Sequence, residues 1–180
     1  MIRTPLYKGE LVDLGREHFT RPDGRDQTLE VVRHPGGAAV VAVNEDHQVC
    51  LLRQYRHAAG GWLWELPAGK LEAGEAPQVT AQRELKEEAG LQAAEWRELG
   101  EILTTPGFCD EVIHLFLATE LVAVATDHQA DELIECHWVS LQQALEWAGD
   151  GTIRDAKTLL GLYRMTQAET PGIAFRLHPA

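Results

Sequence analysis

The sequence is poor in basic residues, with 16 lysines and arginines against 28 aspartates and glutamates and a formal net charge of −12. Proteins that bind nucleic acid generally need a basic footprint, so this balance argues against general affinity for nucleic acid. It does not exclude a small phosphate-bearing substrate, because bound cations and a few local arginines can reverse the electric field inside a cleft.

The sequence also lacks long apolar runs and paired cysteines. No apolar stretch approaches the length of a membrane span, and residues 1–5 lack the apolar character of a secretory signal. The three cysteines, Cys50, Cys109 and Cys136, are odd in number and have no metal-type spacing. Two of them lie in strand-like apolar runs, where a reduced thiol is usual. We therefore expect a cytoplasmic protein with no membrane partner.

The remaining composition is that of an ordinary globular domain. The chain has 180 residues, of which 44% are apolar and 24% are charged, and this length suits one domain. Strands on both sides of a central helix predict an α/β fold with a mixed sheet between helices. The predicted strands are residues 6–14, 29–34, 38–43, 48–56, 96–104, 111–119 and 133–139, and the predicted helices are 76–89, 141–149 and 155–168.

The helix at residues 76–89 carries three carboxylates on one face. Glu84, Glu87 and Glu88 stand at positions i, i+3 and i+4, which share a helix face. A solvated surface is the plain interpretation of such residues taken alone. The glycine-rich approach and the helix-ending Gly90 make the segment more specific. Because three neighbouring carboxylates repel each other, the pattern indicates a bound cation, with magnesium or manganese favoured by oxygen ligands.

The wider segment, residues 69–91, resembles the Nudix box, G-x5-E-x7-R-E-U-x-E-E-x-G-U, where U is an aliphatic residue. Every specified position is filled, by Gly69, Glu75, Arg83, Glu84, Leu85, Glu87, Glu88, Gly90 and Leu91. The resemblance implies a Nudix-type α/β/α sandwich with a mixed central sheet over residues 36–180. Residues 1–35 would be an extra N-terminal β-segment, which in relatives that hydrolyse nucleoside diphosphate sugars contributes to a homodimer and its substrate site.

The resemblance also implies a metal site that cleaves a diphosphate. Glu84, Glu87 and Glu88, with the backbone carbonyl of Ala68, would hold Mg²⁺, for which Mn²⁺ could substitute. Divalent ions neutralise the phosphates and acidify a bound water. Glu87 would also assist the chemistry.

Two further box residues have supporting roles. We expect Arg83 to serve catalysis by orienting a glutamate through a bidentate pair, without touching substrate. Glu75 has two interpretations, a helix-start carboxylate stabilised by the helix dipole or a support for the metal loop, and we favour the first.

Hydrolysis needs a base, which similar enzymes take from a loop beyond the sheet. The acidic residues 127–132 precede the last predicted strand. Glu132 is our candidate for the base or an additional metal ligand, and Asp131 and Glu135 are its rivals. A solvated acidic loop remains the plain alternative.

The segments beside the box narrow the substrate. Arg53-Gln54-Tyr55-Arg56 and Glu65-Leu66-Pro67-Ala68-Gly69 resemble the R-Q-x-R…E-x-P-A-G pattern of ADP-ribose pyrophosphatases and related nucleotide-sugar hydrolases. By position, Arg56 would bind a phosphate through its planar guanidinium. Glu65 would contact the base or the sugar.

A loop after the box, residues 105–111, resembles the S-P-G-F-x-D-E pattern of the same subgroup, with threonine in place of serine. In that subgroup a proline at the position of Pro106 accompanies activity on ADP-ribose. By the same resemblance, Glu111 would contact ribose or magnesium. No aromatic residue can be matched to adenine stacking, and packing is the plainer role for each candidate. The candidates are Tyr7, Phe19, Trp62 and Trp64.

The sequence therefore predicts a magnesium-dependent enzyme that hydrolyses ADP-ribose to AMP and ribose 5-phosphate. GDP-mannose or another nucleotide sugar is the alternative substrate. An oxidised-nucleotide triphosphatase would leave Arg56, Glu65 and Pro106 unexplained. A non-catalytic nucleotide-sugar sensor would usually lose box glutamates and gain a DNA-binding segment, whereas here the glutamates are intact and no basic recognition helix is visible.

Overall fold

The computed structural model describes residues 1–127 and 133–168. Its strands are β1 (Ile2–Lys8), β2 (Asp13–Thr20), β3 (Asp26–Arg33), β4 (Gly37–Ala42), β5 (Gln48–Arg56), β6 (Gly61–Glu65), β7 (Ala68–Lys70), β8 (Leu91–Leu103), β9 (Val112–Ala123) and β10 (Ile134–Ser140). Its helices are α1 (Pro77–Ala89), α2 (Leu141–Asp150) and α3 (Ala156–Gln167), and a 3₁₀ turn spans His57–Ala59.

The first three strands form an antiparallel sheet of their own, in the order β1-β2-β3. The single strand predicted at residues 6–14 is wrong, because the chain turns there and Gly9 N donates to Val12 O at 2.8 Å. The apolar residues of that stretch therefore belong to two strands and the turn between them. This sheet ends at Arg33, near the predicted division at residue 36.

The centre of the fold is β4, whose residues are all buried. Ala38 and Val40 pack in the cluster that includes α1, whereas Ala39 and Val41 pack in the cluster that includes α2 and α3. Successive side chains of a strand point to opposite faces, so β4 has a helical layer on each side. The predicted α/β/α sandwich is confirmed.

The sandwich contains two sheets. One has the order β7-β4-β9-β8, and it is mixed because β4 and β9 are parallel while the other pairs are antiparallel. The other sheet, β10-β5-β6, is antiparallel. Only the isolated bridge between Val43 and Val49 joins β4 to β5 among the described residues. The predicted mixed sheet is therefore the four-stranded one.

Some strands were not predicted from local pattern. β6, which begins at Gly61 and pairs with β5, is absent from the predicted strands. β8 begins at Leu91, ahead of the predicted residue 96, because it pairs with β9 along most of its length. Most β8 side chains are not buried, so its sequence shows little apolar alternation.

The helix boundaries follow their capping residues. α1 has proline in its first turn and ends at Ala89, and it is capped by Gly90, whose φ of 63° is left-handed. Ser140 caps α2, and Asp155 caps α3 by accepting from Thr158 N at 3.0 Å. Within residues 1–127 and 133–168, no helix is long and apolar enough to cross a membrane.

Candidate active site

A cleft of about 750 Å³ opens where β7, the start of α3 and the carboxylate face of α1 meet. Several residues singled out in the sequence line it together, although they are scattered along the chain. These are Arg56, Ala68, Gly69, Glu84, Glu88 and Glu111.

The close packing of β7 against α1 explains the first box glycine. β7 pairs with β4 at the sheet edge, and the Glu84 carboxylate lies directly against Gly69. A Cβ at Gly69 would overlap that carboxylate. Glycine at this position therefore lets a backbone loop and an acidic side chain share the same small space.

Glu88 is fixed against the same loop. Its side chain is buried, with the residue 4% exposed, and Oε2 accepts a hydrogen bond from Ala68 N at 2.8 Å. A buried carboxylate needs such partners. The bond holds Glu88 beside the Ala68 peptide, whose carbonyl is the predicted backbone ligand.

Arg83 lies among three carboxylates. Its Nη1 contacts Glu84 Oε1 at 2.7 Å and Glu87 Oε2 at 3.3 Å. Its Nε and Nη2 pair with the two Glu75 oxygens at 3.2 and 3.1 Å. The bidentate partner of Arg83 is therefore Glu75, and Glu84 receives a single bond.

Glu75 is held by this arginine and by two other donors. Its Oε2 accepts from Thr80 Oγ1 at 2.8 Å and from Glu72 N at 3.1 Å. The hydrogen bond from Arg83, then those from Glu72 and Thr80, lower the pKa of Glu75 to about 2. Its one backbone donor within the described residues, Glu72 N, precedes α1, so the free amides of the helix start do not bond to Glu75. Stabilisation by the helix dipole, the other part of the favoured interpretation, stays a prediction.

A second ion cluster lies around Glu65. Arg56 donates through Nε and Nη2 to Glu65 Oε1 and Oε2 at 3.0 and 2.9 Å, and Lys157 Nζ donates to Oε2 at 2.7 Å. Burial would raise the pKa of Glu65, but the bond from Arg56 and the charge of Lys157 hold it below the ordinary value. Asp155 also contacts Lys157, at 3.0 Å.

The contacts of Glu65 differ from the predicted contact with the base or the sugar. It is 2% exposed, and both oxygens are bonded to Arg56 or Lys157. Its carboxylate offers no surface to a base or sugar in this structure. It instead supports the two cations, which both line the cleft.

Lys157 was missed in the sequence. It lies 92 residues from Glu65, so no local motif connects the two. One signal was available, since a lysine in the first turn of a helix opposes the helix dipole unless it has an anionic partner.

The loop predicted to contact ribose is tied to the N-terminal sheet. Asp110 accepts from Arg33 Nη1 and from His34 N, both at 2.8 Å. Glu111 accepts from Thr104 Oγ1 at 2.6 Å and lies 3.3 Å from His34 Nδ1. Pro106 is exposed, and it is not among the cleft-lining residues.

His34 is a second cleft residue that the sequence did not indicate. The buried carboxylate of Glu17 bonds to both Arg3 and Arg33, the residue before His34, and so stabilises this side of the site. The sheet β1-β2-β3 is thereby fastened to the loop that carries Glu111.

Two of the three candidate bases, Glu132 and Asp131, lie outside the described residues. Leu133, the next described residue, lines the cleft. Glu135 lies on β10, 3.6 Å from Arg53 Nη1 and 3.4 Å from His137 Nε2, and it does not line the cleft.

The adenine-stacking candidates also lie away from the cleft lining. Trp62 packs edge-on against Tyr55 and under Arg53, and Trp64 packs against Trp147. The other two candidates, Tyr7 and Phe19, lie on the N-terminal sheet.

The donors present suit a hard divalent ion. Glu84, Glu88 and Ala68 line the cleft together, and their carboxylate and backbone carbonyl oxygens are the ligand type that such an ion prefers. Within the described ranges no group of three or more acidic, histidine or cysteine side chains is gathered closely enough to hold a metal. Arg83 bonds to Glu84 and Glu87 there, and Ala68 N bonds to Glu88.

Comparison with known proteins matches most of the chain to one family. The model of the NUDIX domain matches residues 33–160. An ADP-ribose pyrophosphatase of Bacillus subtilis (strain 168) is 38% identical over 155 residues, 85% of this chain and 84% of that protein. A GDP-mannose pyrophosphatase of Cronobacter sakazakii is 37% identical over 164 residues, 82% of this chain and 83% of that protein.

A solved structure has the same fold. The crystal structure of an ADP compounds hydrolase superposes with a TM-score of 0.79, covering 93% of this chain and 91% of that one. The two sequences are 19% identical, so the likeness concerns the fold.

Proposed function

This chain belongs to the Nudix family of hydrolases, and from that premise we propose that it hydrolyses the diphosphate bond of ADP-ribose. The products are AMP and ribose 5-phosphate. One observation carries the proposal: the cleft has carboxylates, Glu84 and Glu88, on one side and two supported cations, Arg56 and Lys157, among its other lining residues. A metal-bound diphosphate needs both kinds of group.

Nudix hydrolases generally use divalent metals, and we propose Mg²⁺ as the ion here, with Mn²⁺ as a substitute. Glu84, Glu87, Glu88 and the Ala68 carbonyl would hold it. When bound, such an ion neutralises phosphate charge and acidifies water. Arg83 is a positioning residue in this account, since it holds Glu84 and Glu87 from the side and contacts Glu75 with its other nitrogens.

Arg56 and Lys157 bind the phosphates. Arg56 uses Nε and Nη2 on Glu65, and its Nη1 makes no hydrogen bond within the described part of the chain. A guanidinium fixed in this way is already oriented, so little side-chain freedom is lost when it binds an anion. Glu65 positions both cations and does not itself touch the substrate.

The remaining roles follow the predicted loops. Glu132 takes the proton from the attacking water, with Asp131 as its rival, and the adjacent Leu133 lines the cleft. Glu135 fits this role less well, because it lies beside Arg53 and His137 and not at the cleft. Glu111 contacts the ribose, and Pro106 shapes the loop that carries it.

The N-terminal segment, residues 1–35, completes the proposal. It forms a homodimer interface, which is supported by a sheet separate from the sandwich and by exposed apolar side chains such as Ile2 and Leu6. We place the enzyme in the cytoplasm, in keeping with its free cysteines.

GDP-mannose is the second candidate substrate, favoured by the 37% identical GDP-mannose pyrophosphatase. The charged residues of the cleft suit a diphosphate and give no selectivity for a base. They therefore fit both ADP-ribose and GDP-mannose. A non-catalytic sensor is disfavoured by the intact carboxylate face of α1.

The test is a panel of ADP-ribose, GDP-mannose and UDP-glucose with Mg²⁺, scored by release of nucleoside monophosphate. We expect AMP from ADP-ribose at the highest kcat/KM, and no release in EDTA. Turnover of GDP-mannose alone would transfer the assignment to that substrate. An absence of turnover across the panel would contradict the proposed function.

A further inference from the structure

Two cysteines that lie far apart in the sequence meet across the β5–β10 pair. The Sγ atoms of Cys50 and Cys136 are 3.4 Å apart, and both thiols are free. Cys50 is opposite Trp138, and Cys136 is opposite Leu52, so the cysteines are diagonal neighbours on one face. A disulfide bond is about 2.05 Å long, so the sulfurs need to approach by roughly 1.3 Å to form one.

The two thiols differ in exposure. Cys136 is exposed on β10, an edge strand, whereas Cys50 is fully buried. An oxidant in solution therefore reaches Cys136 first. Cys50 is then the nearby thiol that resolves the oxidised sulfur, which is how reversible thiol oxidation proceeds to a disulfide.

The pair lies beneath the helix that carries the carboxylate face. Cys50 belongs to the buried cluster that contains Ala81, Leu85 and Ala89 of α1. Cys136 Sγ lies 4.0 Å from the carbonyl oxygen of Ala89, the residue after Glu88. Movement of either sulfur therefore acts on the packing that holds α1 in place.

We propose that Cys50 and Cys136 form a redox modification site, which a peroxide oxidises to a disulfide that lowers hydrolysis at the cleft. The Cys136 sulfur attacks a peroxide oxygen and the O–O bond breaks, which gives a sulfenic acid and water. The Cys50 sulfur then attacks the Cys136 sulfur, the S–O bond breaks, and hydroxide leaves with the Cys50 proton as a second water. The two thiols supply the two electrons that reduce the peroxide.

The effect on hydrolysis rests on the proposed function. Closing the gap between the sulfurs shifts β10 or the layer under α1, and a displacement of about 1 Å at catalytic groups lowers rates by on the order of 100-fold. A dithiol reductant reverses the change, because it restores both thiols.

The test uses the full chain, reduced, freed of reductant and treated with hydrogen peroxide. We expect an intact mass lower by two hydrogen atoms, a non-reducing peptide map that joins Cys50 to Cys136, and a rate at least about tenfold lower that dithiothreitol restores. C109S should lose the same two hydrogens. C136S, changed at an exposed position, should not lose them, and its rate should be the same before and after peroxide.

Other results overturn the proposal. Oxygen adducts without the cross-link, or a cross-link that involves Cys109, would refute the site. A Cys50–Cys136 disulfide with an unchanged rate would refute its effect on the cleft. The mass measurement does not need activity, so it decides the site even if no substrate is turned over. In that event Mn²⁺ titration decides the effect, with weaker binding by the oxidised protein supporting it and equal binding refuting it.

Discussion

The cleft joins two ion clusters of opposite design. Around Arg83, one cation lies among the carboxylates of Glu75, Glu84 and Glu87. Around Glu65, one carboxylate lies between the cations of Arg56 and Lys157. In each cluster the central residue supports its partners. The first presents Glu84 to the cleft, and the second presents both cations.

Burial explains which charge the second cluster offers to a ligand, but not the first, where the Arg83 side chain is 27% exposed and that of Glu84 12%. The second cluster has no large charge excess, since Asp155 also contacts Lys157. The side chain of its central Glu65 is nevertheless only 3% exposed, while the side chains of Lys157 and Arg56 are 12% and 42% exposed. The ligand therefore meets the guanidinium, and the compensating carboxylate lies behind it.

The largest expected effect is the loss of activity in Glu88→Gln, which removes a negative charge from the acidic side of the cleft. The amide keeps the size of the side chain and an acceptor for Ala68 N, but it loses the charge that holds a cation. We expect kcat to fall by about 100-fold or more. Steady-state kinetics measures this, with the exposed Glu95→Gln as the matched control. A rate within a few-fold of wild type would remove Glu88 from the metal site.

Glu65→Gln tests the second cluster at its centre. It leaves Arg56 and Lys157 without their shared charge, so we expect about 3 kcal/mol less stability and a rate lower by about tenfold or more. Urea unfolding and kinetics measure the two effects. Glu30→Gln removes a glutamate from an exposed ion pair with Arg16 and should change neither. Equal behaviour of the two variants would mean that Glu65 does not support the cations.

A smaller effect is expected from Arg56→Lys, which keeps the charge but cannot pair in the same bidentate way. KM for ADP-ribose should rise by about tenfold, with a smaller change in kcat. Arg53→Lys on the same strand is the control, because Arg53 contacts Glu135 and Trp62 outside the cleft. If both variants raise KM equally, Arg56 has no special role.

The smallest effect is a pH dependence of stability from Glu75. Its pKa is lowered to about 2 in the fold, so its stabilising contribution is present above the ordinary pKa of 4.5 and is lost as the pH falls towards 2. The difference in melting temperature between the wild type and Glu75→Gln should therefore shrink from pH 5 to pH 2. A constant difference across that range would contradict the lowered pKa.

The sequence predicted the first cluster better than the second, for a physical reason. Arg83, Glu84 and Glu87 lie on one helix, where spacing fixes which side chains are neighbours, whereas Glu75 precedes the helix and its pairing with Arg83 was not predicted. The consecutive apolar residues of β4 predicted that strand equally well. Lys157 and Glu65 meet only through the packing of α3 against β6, and β8 owes its start at Leu91 to pairing with β9. Such contacts are set by tertiary structure and leave little local pattern.

Metal binding by the carboxylates of α1 and phosphate binding by Arg56 are the central claims. The dissociation constant of Mn²⁺, measured by electron paramagnetic resonance, tests them most directly. The account predicts that Glu88→Gln weakens Mn²⁺ binding at least about tenfold, because a charged ligand is lost. Arg56→Ala should leave the constant within about twofold of wild type, because Arg56 acts on phosphate. Unchanged binding in Glu88→Gln, or equal weakening in both variants, would contradict it.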